Sequence, residues 1–429
     1  VSASDVDRTI TAVWRIESAR VIAGVARIVR DVGLAEELAQ DALVAAIEQW
    51  PASGIPDHPG AWLMAAAKHR ALDVVRRAKR FELRQEEIGR DVERRERDAG
   101  ARVEAAADDD VGDDLLRLVF VACHPILSTD ARVALTLRLL GGLTTAEIAR
   151  AFLQSEVTVA ARIVRAKRTL AEGKVPFEVP RKGELAARLA SVLEVVYLVF
   201  NEGYSATVGD DWTRPALCED ALRLGRILAT LVPDEPEVHG LAALMEIQAS
   251  RLAARVGPSG EPVLLFDQNR ALWDRLLIRR GFDALARAEA LAGGRGPYVL
   301  QAEIAACHAR AATPEDTDWA RIAALYGALA TASPSPVVEV NRAVAVSMAS
   351  GPAAGLAVLD AIAPDPRVAA YHLLPAVRGD LLAKLGRHDE ARAAFERAAH
   401  LTRNAREQAL LLDRASQSTN AATSSRTRP

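Results

Sequence analysis

The side chains whose types and spacing best suit a defined chemistry lie between Thr144 and Arg168. Thr144 with Glu147 three positions later has the spacing of a capping box, and it opens a short helix bearing Ile148, Ala149 and Phe152. A turn at Leu153-Gln154 leads into a second helix from Ser155 to about Leu170. On that helix Val159, Ile163, Ala166 and Leu170 recur at i, i+4, i+7 and i+11, one buried stripe, which leaves Ala161, Val164, Arg165 and Arg168 pointing away. Two short helices with a basic outer face on the second read as a helix-turn-helix, whose second helix enters the major groove of DNA. An outward arginine there donates two parallel hydrogen bonds to guanine, so Arg165 is the first candidate for base contact. Arg162, Lys167 and Arg168 are candidates for the phosphate backbone, and an ordinary helical hairpin with a solvated basic face is the competing reading.

A second basic segment follows Pro59. Trp62 stands near the start of a predicted helix that then carries Lys68, His69, Arg70, Arg76, Arg77, Lys79 and Arg80, with Asp73 as its one acid. Such a helix can track one DNA strand, with Trp62 either stacking on a base or, as we favour, filling the core. Upstream, Glu36-Glu37-Leu38-Ala39-Gln40-Asp41 forms an acidic helical face, by itself a common solvated surface.

Nothing comparable points to catalysis. The chain has no phosphate-binding glycine loop, no HExxH and no GxSxG, and its eight histidines are scattered. Cys123, Cys218 and Cys307 form neither a CxxC nor a Cys/His cluster, so no metal site, no cofactor and no disulfide framework are expected. Asn201, Glu202, Tyr204 and Asp210-Asp211 are polar groups beside an apolar stretch, Leu193 to Phe200. They are candidates for an interface or ligand pocket, with capping and turn formation around Gly203 the favoured role.

These segments must be held by helices. The chain has 429 residues, half of them apolar but only 4% aromatic, in long Ala/Leu/Arg/Glu-rich stretches, which predicts an all-α protein of two or three domains. The net charge of -3 excludes a polybasic surface, so any nucleic-acid site is local. Asp5, Asp7 and Arg8 stand where a signal sequence would be basic and then apolar, and Gly351-Pro352 interrupts the longest uncharged run. A cytoplasmic protein without membrane contact is expected. Sequence patterning divides the chain into a helical domain at 1–80, an acidic linker at 81–114 with 13 acidic and 6 basic side chains, and the helix-turn-helix domain at 115–172. A joint at 173–183 and a helical extension at 184–415 follow. Short Gly/Pro breaks punctuate that extension, and Leu382, Leu385, Gly386, Ala391, Phe395 and Ala398 resemble a tetratricopeptide helix pair. The Ser/Thr/Asn-rich tail, 416–429, is predicted to be disordered.

Taken in order, these blocks carry a family resemblance. Residues 34–50 followed by Pro59, Trp62, Leu63, Ala67, Leu72, Asp73, Arg76 and Arg77 resemble region two of bacterial sigma-70-type factors. Residues 115–170, with Glu147-Ile148-Ala149, Ser155-Glu156, Thr158-Val159 and Arg165-Ala166-Lys167-Arg168, resemble region four. With only these two regions and a linker, the chain is similar to extracytoplasmic-function sigma factors, in the subgroup with a C-terminal tetratricopeptide-like extension. The resemblance implies a promoter-specificity subunit that binds core RNA polymerase, double-stranded promoter DNA and the melted minus-ten strand. It places Glu37, Gln40 and Asp41 against polymerase and Trp62, Lys68, His69, Arg70, Arg76, Arg77 and Arg80 at the minus-ten element. Ala160, Ala161, Val164 and Arg165 fall at the minus-35 base readers, beside Arg162, Lys167 and Arg168. His69 stands where many members have Asn, and Leu153 replaces the usual turn Gly. The extension, with Asn201, Glu202 and Tyr204 as candidate interface, is expected to regulate the factor through its own DNA-binding domains, polymerase or a protein partner. A polymerase-independent helix-turn-helix regulator with a helical sensor is the alternative, and it has no use for the Glu36 to Arg80 block; a helical scaffold without DNA is a second, whose activity alanine at Arg162 and Arg165 would leave untouched.

Overall fold

A computed structural model describes residues 3–86, 111–152, 154–205, 212–369 and 371–426. Among the described residues there are eighteen α-helices, a few single 3-10 turns and one isolated β-bridge, Val256 to Pro262, so the expected all-α class is observed. The chain divides into two compact units, Val1–Leu198 and Val199–Pro429.

In the first unit α1 (Ala3–Val29), α2 (Val32–Ser53) and α3 (Pro59–Glu86) pack on one another. Asp31 caps α2 by accepting from Leu34 N at 2.9 Å, and small residues at helical spacing, Ala35, Ala39, Ala42 and Ala46, are fully buried along it. Four helices follow: α4 (Val111–Ala122), α5 (Thr129–Leu139), α6 (Thr145–Ala151) and α7 (Glu156–Glu172). Helix α4 lies against α1, where Arg27 of α1 is 3.3 Å from buried Asp114. Gly142, at φ 68°, makes the turn ahead of α6, and a Cβ there would lie 2.8 Å from Ser18 Oγ of α1, so this turn needs glycine both for its backbone and for its approach.

The acidic linker is shorter than its composition predicts. Helix α3 continues to Glu86, and α4 begins at Val111 with Asp113 and Asp114 in its first turn, where the exposed N–H groups favour negative charge and Arg27 and Arg117 pair with Asp114. Residues 87–110, including Asp108-Asp109-Asp110, lie outside the described residues. The joint at 173–183 is irregular chain up to α8 (Lys182–Tyr204), but the first turns of α8 belong to the first unit. Arg188 donates to Phe120 O at 2.7 Å and Ser191 to Cys123 O at 2.8 Å, satisfying carbonyls at the C-terminal end of α4. The division between units therefore falls within α8, after Leu198.

The second unit continues with α9 (Pro215–Leu231), α10 (Pro236–Ala249), α11 (Arg275–Ala290), α12 (Pro297–Arg310) and α13 (Trp319–Ala332). Helices α14 (Pro336–Ser350), α15 (Pro352–Ile362), α16 (Leu373–Lys384), α17 (His388–Leu401) and α18 (Ala405–Arg426) complete it, each packed on the one before. The punctuating prolines open helices, as at Pro215, Pro236, Pro297, Pro336 and Pro352, where the missing N–H costs nothing. Leu382, Ala391, Phe395 and Ala398 share one core with Leu411 and Ala415. That core overturns the expected disorder from Ser416: α18 runs on to Arg426, anchored by buried Leu411, Ala415 and Ser418. Its hydroxyls bond back into the helix, Ser418 Oγ to Arg414 O at 3.0 Å and Thr419 Oγ1 to Ala415 O at 3.2 Å.

Candidate nucleic-acid interface

Helices α6 and α7 form the two-helix unit read from the sequence. Glu147 N donates to Thr144 Oγ1 at 3.1 Å while Thr144 N donates to Glu147 Oε2 at 2.7 Å, a complete capping box. Burial would raise the Glu147 carboxyl, but these bonds from Thr144 hold it below its usual range. Ser155 caps α7, accepting from Thr158 N at 3.1 Å. Val159, Ile163, Ala166 and Leu170 are buried, and Ala161, Val164, Arg165 and Arg168 are exposed, the stripe and outer face that the spacing predicts. Ala160 is half-buried at the edge of that face. Leu153 lies outside the described residues. One apolar group was missed: Val157, 78% exposed, stands one turn before Ala161 on the outer face, and no periodicity signals an exposed valine.

The remaining α7 cations turn inward. Arg162 donates to Gln154 Oε1 at 2.9 Å and lies 3.3 Å from Asp130. Lys167 is ion-paired with Glu36, a buried carboxylate of α2 that also accepts from Arg138 Nε at 2.6 Å. Glu36 thus ties α2 to both α5 and α7. Gln40 donates to the same carboxylate at 2.7 Å, so its amide faces inward, whereas Glu37 and Asp41 are exposed. Val44, Ile47 and Glu48 extend their face by exposed groups that the sequence reading did not single out.

On α3, Trp62 packs edge-on against buried Trp50, ring centres 5.4 Å apart, which favours its core reading. Lys68 and Arg70 are half-buried, and Arg70 donates to Ala66 O at 3.2 Å. His69, Arg76, Arg77 and Arg80 are exposed, with His69 and Arg76 flanking Asp73 at 3.5 and 3.9 Å. Two cationic surfaces, on α3 and α7, therefore belong to one compact unit with the acidic α2 face.

The polar residues of α8 take separate paths. Asn201 is exposed, Glu202 is ion-paired with Arg214, and Tyr204 stacks on Phe200 with ring centres 5.7 Å apart. Asp210 and Asp211 lie outside the described residues. Cys123 and Cys218 are buried, which pushes their thiols up to about 11 and about 12, far from the reactive range. Among the described residues no group of His, Cys, Asp and Glu is arranged to hold a metal ion, and no helix is long and apolar enough to cross a membrane.

Three segments of the chain match known families. Sigma-70 region 2 matches residues 15–81, which span most of α1 through α3, and sigma-70 region 4 matches residues 117–170, from α4 into α7. Residues 188–289 match a family of unknown function, DUF6596. An uncharacterised protein of Rhizobium meliloti (strain 1021) is 45% identical over 388 residues, 90% of each chain. The chain belongs to the sigma-70 family. It is a sigma factor of the extracytoplasmic-function type with a C-terminal extension, and its two sigma-70 regions support binding to core RNA polymerase and promoter DNA. No solved structure matches it significantly. In this sigma factor, Glu36 joins the helices of region 2 to those of region 4, a link that neither region's own pattern reveals.

Proposed function

We propose that this sigma factor docks on core polymerase through the exposed Glu37, Asp41, Val44 and Glu48 face of α2, reads the minus-35 element with α7 and engages the minus-ten strand with α3. The observation that supports this best is the outer face of α7. A capped second helix presents Val157, Ala161, Val164, Arg165 and Arg168 together, apolar groups suited to thymine methyls beside a cation suited to guanine. On α3, the exposed His69, Arg76, Arg77 and Arg80 give a cationic track for a single strand, while Lys68, Arg70 and Trp62 support it from the half-buried side. Arg168 meets phosphate directly; Arg162 and Lys167 do so after leaving Asp130 and Glu36. Gln40 positions the α2 face through Glu36 and does not itself touch polymerase. The helical extension regulates initiation through protein contacts, in keeping with the tetratricopeptide-like pattern of α16 and α17.

The docking face is tested by Glu37→Lys with Asp41→Lys. Both side chains are exposed, so the doubly substituted chain keeps its melting temperature, and its affinity for core polymerase, measured by anisotropy of the labelled chain, falls by about tenfold or more. Unchanged affinity in a folded chain places the docking face elsewhere.

A further inference from the structure

Most of the half-buried arginines in the second unit, and several exposed ones, pair with acids. Arg214 pairs with Glu202, Arg226 with Glu246 at 2.7 Å, Arg295 and Arg321 both with buried Glu303 at 3.3 and 3.2 Å, and Arg414 with Asp380. Arg251, Arg255 and Arg270 break that pattern. They lie at and beyond the C-terminal end of α10, and no carboxylate among the described residues pairs with any of them. Their positive charges are instead gathered around the rings of Tyr204, Trp273 and Trp212, the last 5.5 Å from the Arg255 guanidinium carbon, and they donate only to neutral acceptors, Arg255 to Tyr204 O at 3.2 Å and Arg270 to His308 O and Ala311 O at 2.7 Å. The Arg255 guanidinium carbon lies 3.8 Å from the Tyr204 ring centre, that of Arg251 lies 5.8 Å from Tyr204 and 5.7 Å from Trp273, and that of Arg270 lies 4.6 Å from Trp273.

Burial makes this grouping costly without an anion. Arg251 is only 9% exposed; its Nη2 bonds the Tyr204 hydroxyl at 2.5 Å and Gln248, while its Nε–H has no acceptor. The Nε–H groups of Arg255 and Arg270 and the indole N–H of Trp273 are likewise buried and without acceptors. A buried donor left unmet has lost its water without gaining a partner, which disfavours the arrangement unless a ligand supplies the acceptors. Burial and the charges of Arg251 and Arg270 push His308 down to about 4, so it is neutral and adds no further positive charge. The nearest opposite charges that act on Arg270, Glu315 and Asp316, do so at longer range than an ion pair.

We infer that the extension holds a binding site for the phosphoryl group of a small molecule, formed by Arg251, Arg255 and Arg270 around Tyr204 and Trp273. Three cations and a set of buried N–H donors suit a tetrahedral dianion with three terminal oxygens better than a single carboxylate with two. The rings and the neutral acceptors on one Nη of each arginine hold the guanidinium groups in place and leave their other N–H groups as donors, a preorganised form in which arginine grips phosphate. The depth of Arg251 excludes the backbone of a duplex, which cannot follow it inward. Tyr204, Arg251, Arg255, Arg270 and Trp273 all fall within the segment that matches the family of unknown function, and the site stands independently of how the sigma regions read DNA.

The test uses the full chain with three probes at ionic strength matched by sodium chloride: inorganic phosphate, inorganic pyrophosphate and adenosine monophosphate. Saturable heat of binding and a rise in melting temperature are expected with at least one of them. Tighter binding of pyrophosphate assigns the site to a free oxyanion, and tighter binding of the monophosphate assigns it to a phosphate carried on a ring that meets Trp273. Arg251→Met and, separately, Arg255→Met weaken binding by roughly tenfold to a hundredfold, while Arg392→Met on the exposed face of α17 keeps the wild-type response. Circular dichroism identifies which variants are folded. The proposal is overturned if none of the probes binds saturably above the chloride control, or if a folded Arg251→Met or Arg255→Met chain binds as tightly as the wild type.

Discussion

Glu36→Ala is expected to loosen the first compact unit and strengthen DNA binding by the chain without polymerase. The carboxylate is buried and is the shared partner of Arg138 on α5 and Lys167 on α7. Removing one member of a buried ion group leaves its partners uncompensated, at a cost of several kcal/mol where they stay buried. Arg138 and Lys167 are about one-fifth exposed and can turn to water, so the expected loss is nearer about 2 kcal/mol, read as a lower urea midpoint. Lys167 released in this way becomes available to phosphate. One added phosphate contact steepens the fall of log affinity with log salt by about 0.9. Anisotropy of a labelled promoter duplex over a salt series measures this; an unchanged slope in a destabilised chain means that Lys167 does not reach DNA.

Arg165→Ala carries the second large effect. The side chain is exposed at the centre of the α7 outer face, so its removal leaves the melting temperature and core affinity unchanged. A good bidentate contact to guanine is worth about 1–3 kcal/mol of discrimination, so transcription from the preferred promoter falls by roughly fivefold to more than a hundredfold against a promoter with that base pair replaced. Arg168→Ala gives the contrasting signature, a uniform loss across sequences with a salt slope shallower by about one. If Arg165→Ala reduced all templates equally, the arginine would be a phosphate contact, and base reading would rest on Val157, Ala161 and Val164.

What was legible in the sequence was local. The stripe Val159, Ile163, Ala166, Leu170 and the capping box at Thr144 follow from spacings of three or four residues, and both are observed. The inward turn of Arg162 and Lys167 was not legible, because their partners Asp130 and Glu36 sit on other helices, Glu36 more than a hundred residues away. Gln40 read as a surface group of the α2 face because its partner Glu36, one turn earlier, is drawn inward only by Arg138 and Lys167 on other helices. Composition misled at α18, where a Ser/Thr/Asn-rich run looks too polar to fold until Leu411 and Ala415 are seen in the core beneath Phe395. Apolar groups continue along α8 through Leu189, Val192, Val196 and Phe200, so no break marked the passage from one unit to the other. The arginines around Tyr204 and Trp273 were equally hidden, since turns and short 3-10 segments, with no helical period, bring Arg251, Arg255 and Arg270 together.

The central measurement is run-off transcription on fragmented genomic DNA with core polymerase and the full chain. Discrete transcripts that depend on the chain, whose start sites share a pair of upstream elements and weaken with Arg165→Ala, are the expected result. A folded chain that binds core polymerase yet yields no start sites beyond those of core alone would contradict a promoter-reading role.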